Sequence, residues 1–511
     1  MKRTNLSLLS QRRSGVLLHI SSLPSSPDAS DLGVGDLGTE AYRFVDFLNS
    51  IGVSVWQTLP INMPHADNSP YQCLSAFAGN PDFISLESLQ SQGLLTKNDL
   101  GGDMVSGELT SKANLLAIAY KAFCEQAKQA ESLAEKEQLN FKKFCKKQSH
   151  WLNDFALFLA LRNKFNQAGW QYWPDGYKNR DAATLKQARK ELAHEIAIIQ
   201  FTQFIFFTQW LALKAYAATK SVYLFGDIPI FVAYDSADVW AQPHFFKLDE
   251  YKNMEVVAGV PPDYFCATGQ RWGNPHYDWD AMAADDFSWW VSRMATQSAL
   301  FDIVRIDHFR GLQAAWEIPA SEETAINGQW VIAPGDALLA AIFKALPKIC
   351  LVAEDLGIIT PEVDALRLKY HLPGMKILQF AFSGQEDNPY LPHHIEANSV
   401  AYTGTHDNDT TLGWYNTLDE HQRGLVEAYI HSSRSEEHDV HMPADLINLT
   451  FESHAQLAII PMQDILALDS SHRMNTPGTC SGNWHWRFNW HQLTDAQKEF
   501  ITEVIARTER S

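Results

Sequence analysis

Cysteine is scarce in this chain: Cys73, Cys124, Cys145, Cys266, Cys350 and Cys480 lie far apart in 511 residues and never form a CxxC pair. That spacing suggests neither a zinc site nor a disulfide framework, and it points to a reducing compartment. Basic charge is also short, with 41 Lys and Arg against 60 Asp and Glu, a net charge of -19. Nucleic acid and anionic membrane surfaces need concentrated Lys and Arg, so neither is an expected partner. A neutral substrate is the easier fit. The start of the chain lacks a signal-peptide core, because Thr4 to Ser10 is short and polar and Gln11-Arg12-Arg13 interrupts it. A cytoplasmic location is expected. Internal repeats and low-complexity tracts are missing as well. Long apolar runs are limited to Ile196 to Ala218, and this one carries Gln200, Gln203, Gln209 and Lys214. A buried helix explains it better than a membrane span, since a strand follows almost at once.

The chain does hold an ordinary globular share of apolar and charged residues, 46% and 20%, and a heavy aromatic load that includes 16 Trp and 16 Tyr. Aromatic faces can cover the apolar faces of sugar rings, although most such residues in any protein are core. The pattern of the remaining chain is more telling. Val304-Arg305-Ile306-Asp307-His308-Phe309-Arg310 follows an apolar run and ends in a burst of charge, as where a buried parallel strand surfaces at its carboxyl end. Arg305 and Asp307 share one face of that strand, and the cation is expected to hold Asp307 ionised. Alone, such a motif serves equally well as a structural ion pair. Two further strand ends change the balance. Ile349 to Ala353 ends in Glu354-Asp355, and Ser399 to Thr405 ends in His406-Asp407. Three acids at the ends of three apolar strands, separated by helix-sized gaps, match the rim of a parallel barrel.

The full count of strands is eight, near residues 17, 55, 223, 304, 351, 377, 401 and 459, which predicts a (β/α)8 TIM barrel. Residues 1–84 and 201–511 are expected to form the barrel. Residues 85–200 read as a helical insertion, with Leu116, Tyr120, Phe123 and Ala127 on one face. Trp170, Trp173 and Pro174 read as a packed helix junction. Val256 to Asp280, rich in Pro, Gly and aromatics, reads as a lid-like loop within a 230–290 subdomain. Only about fifty residues follow the last strand, too few for a C-terminal β-sandwich domain.

Paired acids on one rim suit glycosidic bond cleavage. Asp307, beside Arg305, is the candidate nucleophile. Glu354, flanked by Val352 and Ala353 with Asp355 adjacent, is the candidate for a raised pKa and proton donation. Asp407 would hold sugar hydroxyls, and Asp227, at the end of Tyr223 to Ile228, is a fourth rim acid. His308 and His406 either bind the same ring or are satisfied polar residues at strand ends. The same acids on successive strands could hold Mg²⁺. Against that, no Lys or His is placed as a base for metal-assisted enolisation, and aromatics surround the acids. No metal or cofactor is expected.

In order along the chain, Ser69-Pro70-Tyr71-Gln72, Gly226-Asp227-Ile228-Pro229, Val257-Ala258-Gly259-Val260-Pro261-Pro262-Asp263, Arg305-Ile306-Asp307-His308-Phe309-Arg310-Gly311, Ala353-Glu354-Asp355-Leu356-Gly357, Thr405-His406-Asp407-Asn408 and Arg473-Met474-Asn475 with Asn483-Trp484 stand out. Together they resemble the motifs of the amylomaltase family. These are 4-α-glucanotransferases, or disproportionating enzymes, related to the α-amylases. The resemblance implies Asp307 as nucleophile, Glu354 as acid/base and Asp407 as transition-state stabiliser. It also implies that Tyr71 lines the donor sugar and that Asp227, Arg305, His308, His406 and Asn483 bind substrate. Asp263, Gln270 and Trp272 would belong to a mobile loop over it. Donor and acceptor would be malto-oligosaccharides and α-1,4-glucans, handled by a monomer or small homo-oligomer without a cofactor. An α-amylase-type hydrolase and a non-catalytic glucan-binding protein are the alternatives. Departures from the family pattern are Cys73, where serine is more usual, and Asn62-Met63-Pro64-His65 in place of a Gly-rich turn.

Overall fold

The structure is a computed structural model that describes residues 8–24, 34–100, 111–126, 132–262, 266–434, 439–479 and 481–511, without the side chains of 132–134. Its strands are β1 (Arg13–Leu17), β2 (Val55–Gln57), β3 (Tyr223–Ile228), β4 (Val256–Val260), β5 (Gln270–Pro275) and β6 (Ile303–Ile306). They continue with β7 (Ala314–Pro319), β8 (Gln329–Ile332), β9 (Leu351–Ala353), β10 (Gly374–Ile377), β11 (Ser399–Tyr402) and β12 (Leu457–Pro461).

Eight of these form one sheet in the order β10-β11-β12-β1-β2-β3-β6-β9, every ladder parallel. The Ala353 amide donates to the Pro373 carbonyl at 2.9 Å and brings β9 against β10, closing the cylinder. This is the (β/α)8 barrel the apolar runs imply. Alternation along each strand decides what fills it. Leu17, Val55, Phe225, Ile303, Val352, Met375, Val400, Tyr402 and Ile459 pack together in the lumen. Val304, Ile306 and Ala458, out of phase with them, pack against the surrounding helices. Ile303 and Arg305 therefore point the same way, and Arg305 continues the lumen column upward to the rim.

The apolar run read as a buried helix is Ala193–Thr219, long and apolar enough to cross a bilayer. Here it lies in the core, with Phe201, Phe206, Trp210 and Leu213 buried. Its glutamines explain why it is not uniformly apolar. Gln203 accepts from the Gly79 amide at 2.8 Å and donates to the Gly79 carbonyl at 2.9 Å. Gln209 does the same to Ser85, at 2.8 and 3.1 Å. Each side-chain amide stands in for a missing strand partner and anchors the segment after Tyr71 to the helix. Gly79 is required there, because a Cβ would fall 2.0 Å from the Phe206 ring. Gln203→Leu leaves two buried main-chain groups unpaired and is expected to cost roughly 2–4 kcal/mol. The denaturant midpoint checks this, and an unchanged midpoint would contradict the clamp.

Helices Lys112–Gln126, Ser132–Lys147, Ser149–Lys164 and Ala182–Glu191 pack around the same core helix. Leu116 and Phe123 are buried, while Ala127 lies outside the described residues. Trp170 and Trp173 are packed at their junction, at 0% and 3% exposure.

The stretch from Val256 to Asp280 differs from the expected lid-like loop. It contains β4 and β5, which join β7 and β8 in a separate antiparallel sheet ordered β5-β4-β7-β8. Val256 and Val257 favour a pleated strand, and Gly259 lets the Gln270 carbonyl come within 2.1 Å of where a Cβ would lie. Two strands of this sheet lie past residue 290. The sheet brings Gln270 and Trp272 beside the barrel mouth.

Candidate active site

Arg305 leaves the lumen 5% exposed. Its Nη1 donates to Asp227 Oδ2 at 2.6 Å, and its Nη2 pairs with Asp307 Oδ1 at 2.8 Å. Adjacent strands set this up, since Asp227 and Arg305 are register partners on β3 and β6. Glu354 is placed by β9, next to β6. Its amide donates to the Ile306 carbonyl at 3.0 Å, and its own carbonyl accepts from the Phe309 amide at 3.0 Å. The chain turns at His308, a non-glycine residue in the left-handed region with φ 51° and ψ 50°. That conformation costs on the order of 1 kcal/mol and recurs at functional sites. Here it aims the His308 amide at Glu354 Oε2, 2.6 Å away, while the Leu356 amide binds Oε1 at 3.0 Å.

Tyr71 closes the next side. Its hydroxyl donates to Asp227 Oδ2 at 2.7 Å and lies 2.9 Å from His406 Nε2. Because the single Tyr71 proton goes to the carboxylate, His406 must carry its proton on Nε2, shared with Asp407 Oδ1 at 3.3 Å. Asp407 is further held by Asn475 Nδ2 at 2.7 Å, and its carbonyl by Arg473 Nη2 at 3.0 Å. Side-chain exposure grades from 1% at Asp227 through 29% at Asp307 to 49% at Asp407. Asp307 and Asp407 thus run from floor to mouth of one cleft, with Asp227 beneath them. That cleft is about 720 Å³ and is lined by Tyr71, Phe231, Gln270, Trp272, Arg305, Asp307, His308, Glu354, Phe380, Asp407, Asn475 and Trp484, among others. Trp272 stands edge-on to the His308 ring at 4.8 Å and covers one side.

Burial pushes both Asp307 and Glu354 up from ordinary carboxylate values, Asp307 well up, with Arg305 pulling each back down. For Asp307 the neighbouring Asp227, Glu354 and Asp407 add to the rise. One cation therefore faces several acids, and Arg305 opposes a rise that burial and the neighbouring carboxylates drive. His308 is pushed down to about 4 by burial, and His406 is lowered by burial too. Both act as neutral hydrogen-bonding groups near pH 7. Burial also raises Tyr71 well above its usual value, so its hydroxyl remains a donor. Among the described residues, no group of His, Cys, Asp and Glu converges as a metal-holding cluster.

A family model described as 4-alpha-glucanotransferase matches residues 18–494. The chain belongs to this family. It is 46% identical over 508 residues to the 4-alpha-glucanotransferase of Thermus thermophilus, covering 98% of this chain and 99% of the relative. Identity to the Synechocystis 4-alpha-glucanotransferase is also 46%, over 98% and 99% of the two chains. Among solved structures, amylomaltase from Streptococcus agalactiae in complex with acarbose superposes with a TM-score of 0.90 at 35% identity, covering 98% and 100%. Amylomaltase from Corynebacterium glutamicum shares the fold, with TM-score 0.77 at 18% identity over 99% and 76%. The chain is a glycosyltransferase acting on α-glucans, a 4-alpha-glucanotransferase.

Within this family member, the expected substrate-binding residues sit at different depths. Asp227 and His406 lie beside the Tyr71 hydroxyl, where Asp227 also holds Arg305 and His406 also meets Asp407. Asn483 accepts from the Thr476 amide at 2.9 Å and donates to the Thr479 carbonyl at 3.2 Å. Asp263 lies outside the described residues. Asn475, Trp484, Phe231 and Phe380 face the cleft, although sequence reasoning gives them no role. Asn475 and Trp484 do sit in family-like motifs. Phe380, 43% exposed just past a barrel strand, is signalled only by that position.

Proposed function

We propose that the chain moves segments of α-1,4-glucans between malto-oligosaccharides by a retaining double displacement, with Asp307 as nucleophile and Glu354 as acid/base. In the first half, an Asp307 carboxylate oxygen bonds to the anomeric carbon, the glycosidic C–O bond breaks, and the Glu354 proton passes to the departing 4-oxygen. In the second half, the acceptor's 4-hydroxyl attacks that carbon, its proton goes to Glu354, and the bond to Asp307 breaks. Asp407, held by Asn475, is aimed to bind hydroxyls of the reacting ring. Trp272, Trp484 and Tyr71 supply faces for sugar rings. One observation carries this reading: Arg305 grips Asp307 while Glu354 stands on the neighbouring strand, both opening on a single aromatic cleft. Transfer over hydrolysis is supported by Trp272 beside His308, which narrows water's approach, and by family membership. Cys73, Cys124, Cys145 and Cys350 are free thiols, which fits a reducing, cytoplasmic setting.

Transfer conserves the number of glycosidic bonds. Pure maltotriose is therefore expected to yield glucose and longer oligomers with constant free reducing ends, unchanged by EDTA. Rising reducing ends without longer products would mean a hydrolase, and loss of activity in EDTA restored by Mg²⁺ would mean a metal enzyme.

A further inference from the structure

Arg305 has a third direction to satisfy. Besides Asp227 and Asp307, its Nε donates to the thioether sulfur of Met375 at 3.3 Å. Met375 is 1% exposed in the barrel lumen, on β10 across the closing seam from β9. Its own backbone is fixed by the residue after Glu354: the Met375 amide donates to Asp355 Oδ1 at 2.6 Å, and Arg367 Nε lies 3.1 Å from Asp355 Oδ2. Gly374 makes room for this carboxylate, since a Cβ there would lie 2.2 Å from Asp355 Oδ2.

We propose that Met375 is a positioning residue whose sulfur, as acceptor for Nε, fixes the rotation of the Arg305 guanidinium and so aims Nη2 at Asp307. A planar guanidinium gripped on two edges by carboxylates still needs its third edge satisfied once it is buried. Sulfur is a weak, polarisable acceptor. It orients Nε without drawing the cation away from Asp307, as a third carboxylate would. A side chain that merely fills the lumen has no such requirement, and leucine would fill it as well.

This inference rests on the proposed role of Asp307. The groups facing that carboxyl are Asp227 from β3, Arg305 from β6, Glu354 after β9, Asp407 after β11 and, behind them, Tyr71 and His406. Of these only Arg305 pulls Asp307 down, so a loosened Arg305 lets its pKa rise. Met375→Leu is a volume-conserving swap that cores tolerate, and a thermal melt confirms folding. It is expected to lower kcat about tenfold, with KM for maltotriose within about twofold, and to move the acid limb of the pH profile to higher pH. Met375→Gln returns an acceptor and is expected to recover most of kcat and the original limb. A Leu variant with wild-type kcat and pH profile would overturn the proposal, as would Leu and Gln variants equally impaired with unshifted profiles. Asp307→Ala in the same assay separates the two levels. If it stays active, the role of Asp307 fails; if it is inactive while Met375→Leu matches wild type, only the role of Met375 fails.

Discussion

Asp307→Ala is expected to lose turnover on maltotriose by on the order of 10⁴-fold or more, the scale seen when a nucleophile is removed from a site that otherwise binds normally. The side chain is 29% exposed at the cleft floor, so truncation leaves no large cavity, and the barrel should fold as before. Substrate affinity should fall little, because the Tyr71 ring and the Trp272 and Trp484 faces remain. Loss of turnover with retained maltotriose binding, measured by calorimetry, is the expected pair of results. A variant within tenfold of wild type would remove Asp307 from the chemistry.

Glu354→Gln is expected to slow transfer between glucans by about 10²- to 10⁴-fold, the usual contribution of a general acid. The loss should depend on the leaving group. A glycosyl fluoride needs no protonation to depart, so its first step should be largely spared, while transfer to an acceptor hydroxyl stays slow for want of a base. The pH profile should move in a defined sense. Glu354 keeps its proton across the acid limb, so a neutral glutamine should leave that limb, set by Asp307, nearly in place. The alkaline limb, which reports loss of the Glu354 proton, should vanish. Equal losses on fluoride and glucan donors, with an unmoved profile, would contradict the assignment.

Much of this site is legible in the chain itself. Barrel strands β3, β6, β9 and β11 are apolar runs that end abruptly in Gly or an acid, and period-two alternation alone puts Arg305 and Asp307 on one face. The antiparallel sheet is not legible: β5 (Gln270–Pro275) carries Gly273, Asn274 and Pro275, which read locally as a turn, and only its pairing with β4 makes a strand of it, while β4 is itself held by the distant β7. Depth within the barrel is equally hidden. Asp227 and Asp307 are both rim acids in sequence, yet the first is buried under Tyr71 and the second faces the cleft. Asn475 reaches Asp407 from 68 positions away, and no local pattern announces such a contact. The raised pKa of Asp307 has the same origin. Its cation is a near neighbour in sequence, whereas the acids that oppose it arrive from β3, β9 and β11.

The most direct measurement uses Glu354→Gln with a maltosyl fluoride donor, quenched in acid within the first turnover and digested for mass spectrometry. A glycosyl unit on the peptide that carries Asp307, formed in step with fluoride release, is the expected result. Fluoride released without any adduct, or an adduct carried by Asp407 or another residue, would contradict a covalent role for Asp307.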